Sequence, residues 1–186
     1  MHNPMAYAEF YFSVIPDISI AIFSAYFPHS LSYTALTMSI LDYLQFDLPT
    51  EGQKKVLQAL EEFVSPEIAD DFLILTGSAG TGKTSIVTAL VGLLNENEQA
   101  YHIAAPTGRA ARIIGRKAHV SSTTIHSLIY TVDHDTETGH VHFDLKENLE
   151  TAIKIYIIDE ASMLASRKQL QGNFSAPNGL LFDLVR

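Results

Sequence analysis

An α/β fold with a parallel sheet covered on both faces is what this sequence predicts. Two short runs, Phe72 to Leu75 and Ile155 to Ile158, are continuously apolar rather than alternating, as expected of strands buried on both sides. The first opens into Gly77-Ser78-Ala79-Gly80-Thr81-Gly82-Lys83-Thr84, which fills every fixed position of the pattern G-x-x-x-x-G-K-[ST], and a helix-like run from Ser85 to Leu94 follows. The second ends on two carboxylates, Asp159 and Glu160. In an open sheet of this kind, the ligand crevice lies at the carboxyl ends of the strands.

Composition bounds what surrounds the sheet. A chain of 186 residues can bury one good core with a smaller appendage. It has no cysteine, which excludes a disulfide framework and a thiolate metal site and fits a reducing, cytoplasmic setting. A net charge of -9 speaks against a protein that coats nucleic acid nonspecifically. The cations are unevenly placed, however: none precedes Lys54, while Arg109, Arg112, Arg116 and Lys117 fall within nine residues. One basic face on an acidic body is expected.

Residues 1–47 stand apart, rich in Phe, Tyr, Ile and Ser and without formal charge between Asp17 and Asp42. A membrane span over residues 18–41 is considered and set aside, because Pro28, His29 and several Ser and Thr interrupt it and no positive flank would orient it. Nothing in these residues assigns the segment a role. From Leu48 the pattern changes. Thr50 is expected to cap a helix in which Val56, Leu57, Leu60 and Phe63 or Val64 recur at helical spacing, ending at Ser65-Pro66. The strand before the glycine-rich loop comes next, then a helix closing near Asn95-Glu96-Asn97. Ala100 to Ala104 reads as a second strand, leading into Pro106-Thr107-Gly108-Arg109-Ala110-Ala111-Arg112 and a basic helix.

Ser121 to Tyr130 reads as a short capped helix. Two alternating arms around a turn at Thr136 to Gly139 then predict a hairpin over about residues 130–145. Its His134, His140 and His142, with Asp133 and Asp135, could hold a transition metal, but histidines two apart on a strand are commoner as an exposed polar face. The strand ending at Asp159 completes the sheet.

The chemistry follows from spacing. A strand that feeds a helix through Gly77, Gly80 and Gly82 aims backbone N–H groups and the positive helix end at one small volume, which suits a phosphate. Residues Gly77, Ser78, Ala79, Gly80, Thr81, Gly82, Lys83, Thr84 and Ser85 are therefore the candidate nucleotide cradle, with Lys83 at the outer phosphates and Thr84 as a ligand of Mg²⁺. Asp159 is placed to hold the same Mg²⁺, and Glu160 to orient and deprotonate a water that attacks the γ-phosphate of ATP. Gln53, at a helix start shortly before the loop, can read an adenine edge with its amide. The turn at Thr107, Gly108 and Arg109 either holds a phosphate backbone or is a solvated basic helix start.

Five motifs together resemble the superfamily 1B DNA helicases, in particular the RecD-like group: PTEGQ at Pro49 to Gln53, GSAGTGKT at Gly77 to Thr84, APTGRAA at Ala105 to Ala111, TIHSL at Thr124 to Leu128 and IDEASM at Ile158 to Met163. Their order and spacing match over roughly residues 48–165. The resemblance implies a RecA-like sheet, ATP hydrolysis coupled to 5′ to 3′ movement on single-stranded DNA, an adenine contact from Gln53, and Thr107, Gly108, Arg109, Thr124 and His126 along the DNA path. It makes the hairpin look like the family's strand-separating pin. Family members continue into a GD-x-x-Q motif and a second RecA-like domain, and neither pattern occurs up to Arg186. The strand leading to that motif lies, in RecA-like sheets, between the strand of the glycine-rich loop and the strand of the acidic pair. The expectation is a partial first motor domain over 48–186, truncated toward its C-terminus and lacking a central strand. Two other readings stay open: a P-loop ATPase or phosphotransferase with no DNA role, and a noncatalytic nucleotide-binding remnant.

Overall fold

The computed structural model describes residues 18–25, 38–45, 48–65, 72–134, 141–147, 154–164, 170–171, 174–175 and 179–185. At its centre a five-stranded sheet runs in the order β2 (Phe72–Thr76), β1 (Ile18–Ala25), β7 (Lys154–Asp159), β3 (Tyr101–Ala105) and β4 (Thr123–Thr124). β7, β3 and β4 pair in parallel, and β2 points the same way. β1 runs against both of its neighbours.

That strand answers the expected gap. The position between β2 and β7 is filled from the N-terminal segment, with Ile22 opposite Leu73 on one side and Ile157 on the other. The run ISIAIFSA alternates, and the two sets separate cleanly. Ile20 and Ile22 join one core cluster while Ala21 and Phe23 join the other, as the period of a strand requires. Two open strand edges leave unpaired N–H and C=O groups, which are costly when buried, and an alternating β-branched run satisfies both edges.

The larger cluster lies under three helices. α1 (Glu51–Phe63) starts at a reciprocal cap: Gln53 N donates to Thr50 Oγ1 at 3.2 Å and Thr50 N donates to Gln53 Oε1 at 2.8 Å. It buries Leu57, Leu60 and Phe63. α2 (Lys83–Glu96) is apolar almost all round, with Ile86, Val87, Leu90, Leu93 and Leu94 buried, so it is the hub of this layer. A single 3-10 turn, Ile40–Tyr43, docks on it. Gly92 permits the approach, because a Cβ there would lie 2.6 Å from the Tyr43 ring. α3 (Gly108–Ala118) is capped by Thr107 and adds Ile114 and Ala118.

The opposite face is thinner, with Ile125, Leu164 and Leu181 over Ala21, Ala104 and Ile158. Here α4 (Ile125–Ile129) and α5 (Leu180–Leu184) meet. The stretch predicted as one capped helix over 121–130 divides: β-branched Thr123 and Thr124 pair with Ala104 and Ala105, and Thr124 then caps α4.

β5 (Tyr130–His134) and β6 (Val141–Leu145) form the predicted antiparallel hairpin, with Val132 opposite Phe143. β9 (Phe174–Ser175) and β8 (Leu170–Gln171) extend it to four strands. Its tip, with Asp135 and His140, lies outside the described residues. Its base is tied to the body by Tyr130, whose hydroxyl donates to the buried Asp183 carboxylate at 2.6 Å. Among the described residues no group of three His, Cys, Asp or Glu could hold a metal, and no helix is long and apolar enough to cross a membrane.

Candidate nucleotide site and basic groove

The ends of β2 and β7 define the first site. Thr76 is opposite Ile18 and Asp159 is opposite Ile20, so both carboxyl ends reach the same sheet edge with one strand between them. Two strand spacings put them roughly 10 Å apart. The loop leaving β2 turns through Gly80 at φ 81° and Gly82 at φ 86°, left-handed conformations that favour glycine. A Cβ at Gly82 would also lie 2.8 Å from Gln53 Nε2. Ser78, Ala79, Gly80 and Thr81 are exposed at the tip, and Thr84 and Ser85 are half-buried in the first turn of α2.

Lys83 arches back over this loop. Its ammonium donates to the carbonyls of Gly77, at 2.5 Å, and Ser78, at 2.8 Å. Thr81 closes the same turn by donating to Ser78 O at 2.9 Å. Gln53 reaches across from α1 and donates through Nε2 to Thr81 O at 3.0 Å, while its other amide atom completes the Thr50 cap. The side chain expected at an adenine thus braces the loop, with one amide N–H and one oxygen lone pair left over.

On the far side of the crevice, burial raises the Asp159 carboxyl above the ordinary aspartate value, and the Glu160 carboxylate pushes the same way. The Glu160 N–H, which donates to Asp159 Oδ1 at 3.0 Å, and the charges of Lys117 and Lys83 pull it back. Glu160 is exposed and sits at φ 53°, a left-handed conformation that is uncommon for a residue with a side chain. The donor set fits a magnesium nucleotide: a hydroxyl and a carboxylate are hard oxygen ligands, and the lysine and the start of α2 supply positive charge.

A second site lies beside α3. Thr107 Oγ1 accepts from Ala110 N at 3.2 Å, fixing the start of the helix, and a Cβ on Gly108 would lie 3.9 Å from the Thr124 methyl. The APTG and TIH motifs, sixteen residues apart at Gly108 and Thr124, therefore meet. They share an open groove of about 740 Å³ with Arg112, Arg116, His119 and Ser121. One wall is pinned by Ser122, which donates to Ala111 O at 2.7 Å. Gly115 leaves room for it, since a Cβ there would collide with Ser122 Oγ.

Arg109 is exposed but does not line the groove. His126 faces elsewhere too: its ring lies 5.9 Å from Tyr130 and 6.1 Å from Phe143, at the root of the hairpin. Burial lowers its pKa, which favours the neutral ring. Sequence reasoning did not place β1, the influence of Lys117 on Asp159, the Tyr130–Asp183 bond or the groove. Only β1 and the groove left a signal, the alternation of ISIAIFSA and the run of arginines.

Comparisons with known proteins identify the family. Residues 60–176 match the family described as AAA domain. The chain is similar to the ATP-dependent DNA helicase dda of Enterobacteria phage T4, at 30% identity over 122 residues, covering 64% of this chain and 27% of that protein. It is similar to the ATP-dependent RecD2 DNA helicase of Deinococcus radiodurans, at 29% identity over 174 residues, covering 86% of this chain and 23% of that protein. An uncharacterised protein of Methanocaldococcus jannaschii is 32% identical over 123 residues, covering 61% of this chain and 10% of that protein. The chain thus spans about a quarter or less of the length of these relatives. No solved structure matches it.

Proposed function

The chain belongs to the AAA domain family and is a superfamily 1 helicase-like P-loop domain, RecD-like at moderate identity, and from that premise we propose that it is the ATP-hydrolysing part of a DNA helicase. One observation carries the reading: the Lys83 loop and Asp159 open onto the same edge of one sheet.

In this reading Lys83 leaves the Gly77 and Ser78 carbonyls for the outer phosphates, and the backbone N–H groups of the loop hold the rest of the chain of phosphates. Thr84 and Asp159 hold Mg²⁺, which supplies neutralisation of phosphate charge. Glu160, exposed at the crevice, orients a water and takes its proton as the water oxygen bonds to the γ-phosphorus and the bond to the bridging oxygen breaks. Gln53 offers its remaining amide donor and acceptor to the adenine. Thr107, Gly108, Arg109, Thr124 and His126 take single-stranded DNA, movement is 5′ to 3′, the hairpin over 130–145 separates strands, and a second RecA-like domain completes the ATP site. The proposal extends to a cytoplasmic role in DNA repair and recombination.

Two substitutions test the assignment of roles. Lys83→Ala is expected to weaken binding of a fluorescent ATP analogue with magnesium by about tenfold or more, whereas Glu160→Gln retains binding and loses hydrolysis in the complete protein. Equal loss of binding in both would overturn these roles, and an ATPase rate indifferent to single-stranded DNA would remove the helicase reading.

A further inference from the structure

We propose that Asp183 is a positioning residue: through the Tyr130 hydroxyl it fixes the angle at which the β5–β6 hairpin leaves the nucleotide-binding body. This rests on the helicase reading, in which the hairpin separates strands, and adds two residues that none of the five motifs contains.

Tyr130 is 2% exposed and Asp183 is 4% exposed, and among the described residues Asp183 is the one buried charged residue. It lies on α5, with Leu181 and Leu184 of the same helix packed into the layer over Ala21 and Ile158. An aspartate in an apolar layer gives up solvation that packing does not return, so a leucine there would hold the layer as well or better. What the carboxylate adds is direction. Tyr130 Oη donates to Asp183 Oδ2 at 2.6 Å, the length of a charge-assisted bond. Burial raises the Tyr130 pKa, and the bond to Asp183 and its charge raise it further, so the hydroxyl keeps the proton that it donates.

The bond sits where an angle is set. Tyr130 is the first residue of β5, and Lys146, just past the end of β6, closes the other side of the root. Lys146 N donates to Ile129 O at 2.7 Å and its Nζ to Ser127 O at 2.5 Å. Both of these bonds run to α4, which leaves the hairpin an axis about which to rock. The rings of His126, Tyr130 and Phe143 fill the root with centroids 5.7 to 6.1 Å apart, and such contacts tolerate sliding. The Tyr130–Asp183 bond ties the root to a second element, α5, and a hydrogen bond weakens steeply once its angle is spoiled. Thr131 and Val132, the next residues of β5, are already exposed, so the hairpin takes its direction from the root. A wedge driven by ATP must pass force to the strands without rocking, and a buried, satisfied bond at its base supplies that stiffness.

The chain has no cysteine, so two introduced ones can carry nitroxide labels without competition. Val132→Cys on the hairpin and Lys55→Cys on α1 are at exposed positions, and double electron–electron resonance reads the distance between them in the full chain, free of DNA. The parent is expected to give one narrow distance peak. Tyr130→Phe with Asp183→Leu replaces the bond by apolar groups of similar shape, an exchange that leaves stability close to the parent's. That variant should melt like the parent and bind magnesium nucleotide as before, yet lose the narrow peak. A role in packing alone would not lose the peak while melting stands still. Asp183→Asn keeps an acceptor for the hydroxyl and should keep the peak. Should the apolar pair fail to fold, Tyr130→Phe alone is expected to lose the peak. A narrow peak retained in the apolar variant or in Tyr130→Phe, a broad distribution in the parent, or loss of the peak in Asp183→Asn overturns the inference. None of these results touches the helicase reading, which falls instead on an ATPase rate indifferent to single-stranded DNA and would leave the measured distances as they are.

Discussion

β1 and β7 lie side by side in the sheet and bury similar side chains: Ile20, Ala21 and Ile22 of β1 are at most 1% exposed, and Ile157 and Ile158 of β7 are fully buried. Yet β7 ends on Asp159 at the crevice, while β1 runs the other way and delivers only its own start to that edge. The difference separates two demands on a strand. Packing asks for alternating apolar side chains that fill both faces and a backbone that pairs on both edges, and either direction supplies these. Chemistry asks for direction, because only a carboxyl end can pass its next residues into the crevice.

The largest effect should come from breaking the packing half of that comparison. Ile22→Asp replaces a fully buried side chain between Leu73 and Ile157 with a carboxylate that has no partner there. Truncating a buried Ile costs about 2–5 kcal/mol, and burying an unpaired charge adds to it, against a total stability of about 5–15 kcal/mol. Loss of the cooperative melting transition is expected, with Ile22→Val costing only about 1 kcal/mol. If Ile22→Asp melts like the parent, β1 does not hold the central position.

A smaller change falls on the loop. Gly82→Ala meets a φ of 86° and a Gln53 amide 2.8 Å from the new methyl group. A cost of about 1–2 kcal/mol in stability is expected, from the left-handed backbone and from displacing Gln53. Because Gln53 also braces Thr81, nucleotide affinity should fall along with stability. Gln53→Ala removes the brace together with the acceptor of the Thr50 N–H in the cap, and should itself cost about 1 kcal/mol; a Gly82→Ala protein with unaltered melting would show that neither the backbone nor the brace is under tension.

These two sites also mark where the sequence was readable. The loop could be read because each fixed residue answers a local requirement: glycine for φ at Gly80 and Gly82, a cation at Lys83, a hydroxyl at Thr84. Asp159 and Glu160 were readable because a buried run of four residues points at them. β1 was not placed, although ISIAIFSA alternates, because its partners Leu73 and Ile157 lie about fifty and more than a hundred residues away and nothing local names them. The arginines of α3 were visible as a basic helix. That no carboxylate among the described residues pairs with Arg112 or Arg116 is a fact about the folded surface, which the order of residues does not state.

The smallest expected effect sharpens the chemical half of the comparison, because at Asp159 the two demands conflict. Burial raises its pKa above the ordinary value, so the ionised carboxylate that Mg²⁺ needs is the form the fold disfavours. For a group raised in this way, stability is highest below the ordinary aspartate value and declines as pH rises through the raised one. Asp159→Asn keeps an acceptor for the Glu160 N–H and removes the charge. It should therefore melt slightly higher than the parent at neutral pH, with the gap closing as pH falls into the ordinary aspartate range. Adding magnesium with nucleotide should reverse the order at neutral pH, because the parent gains a ligand interaction that the amide makes poorly. The same experiment on β1 gives the contrast: Ile20→Val should lower melting equally with and without magnesium nucleotide, since that strand holds the edge in place without taking part in what binds there.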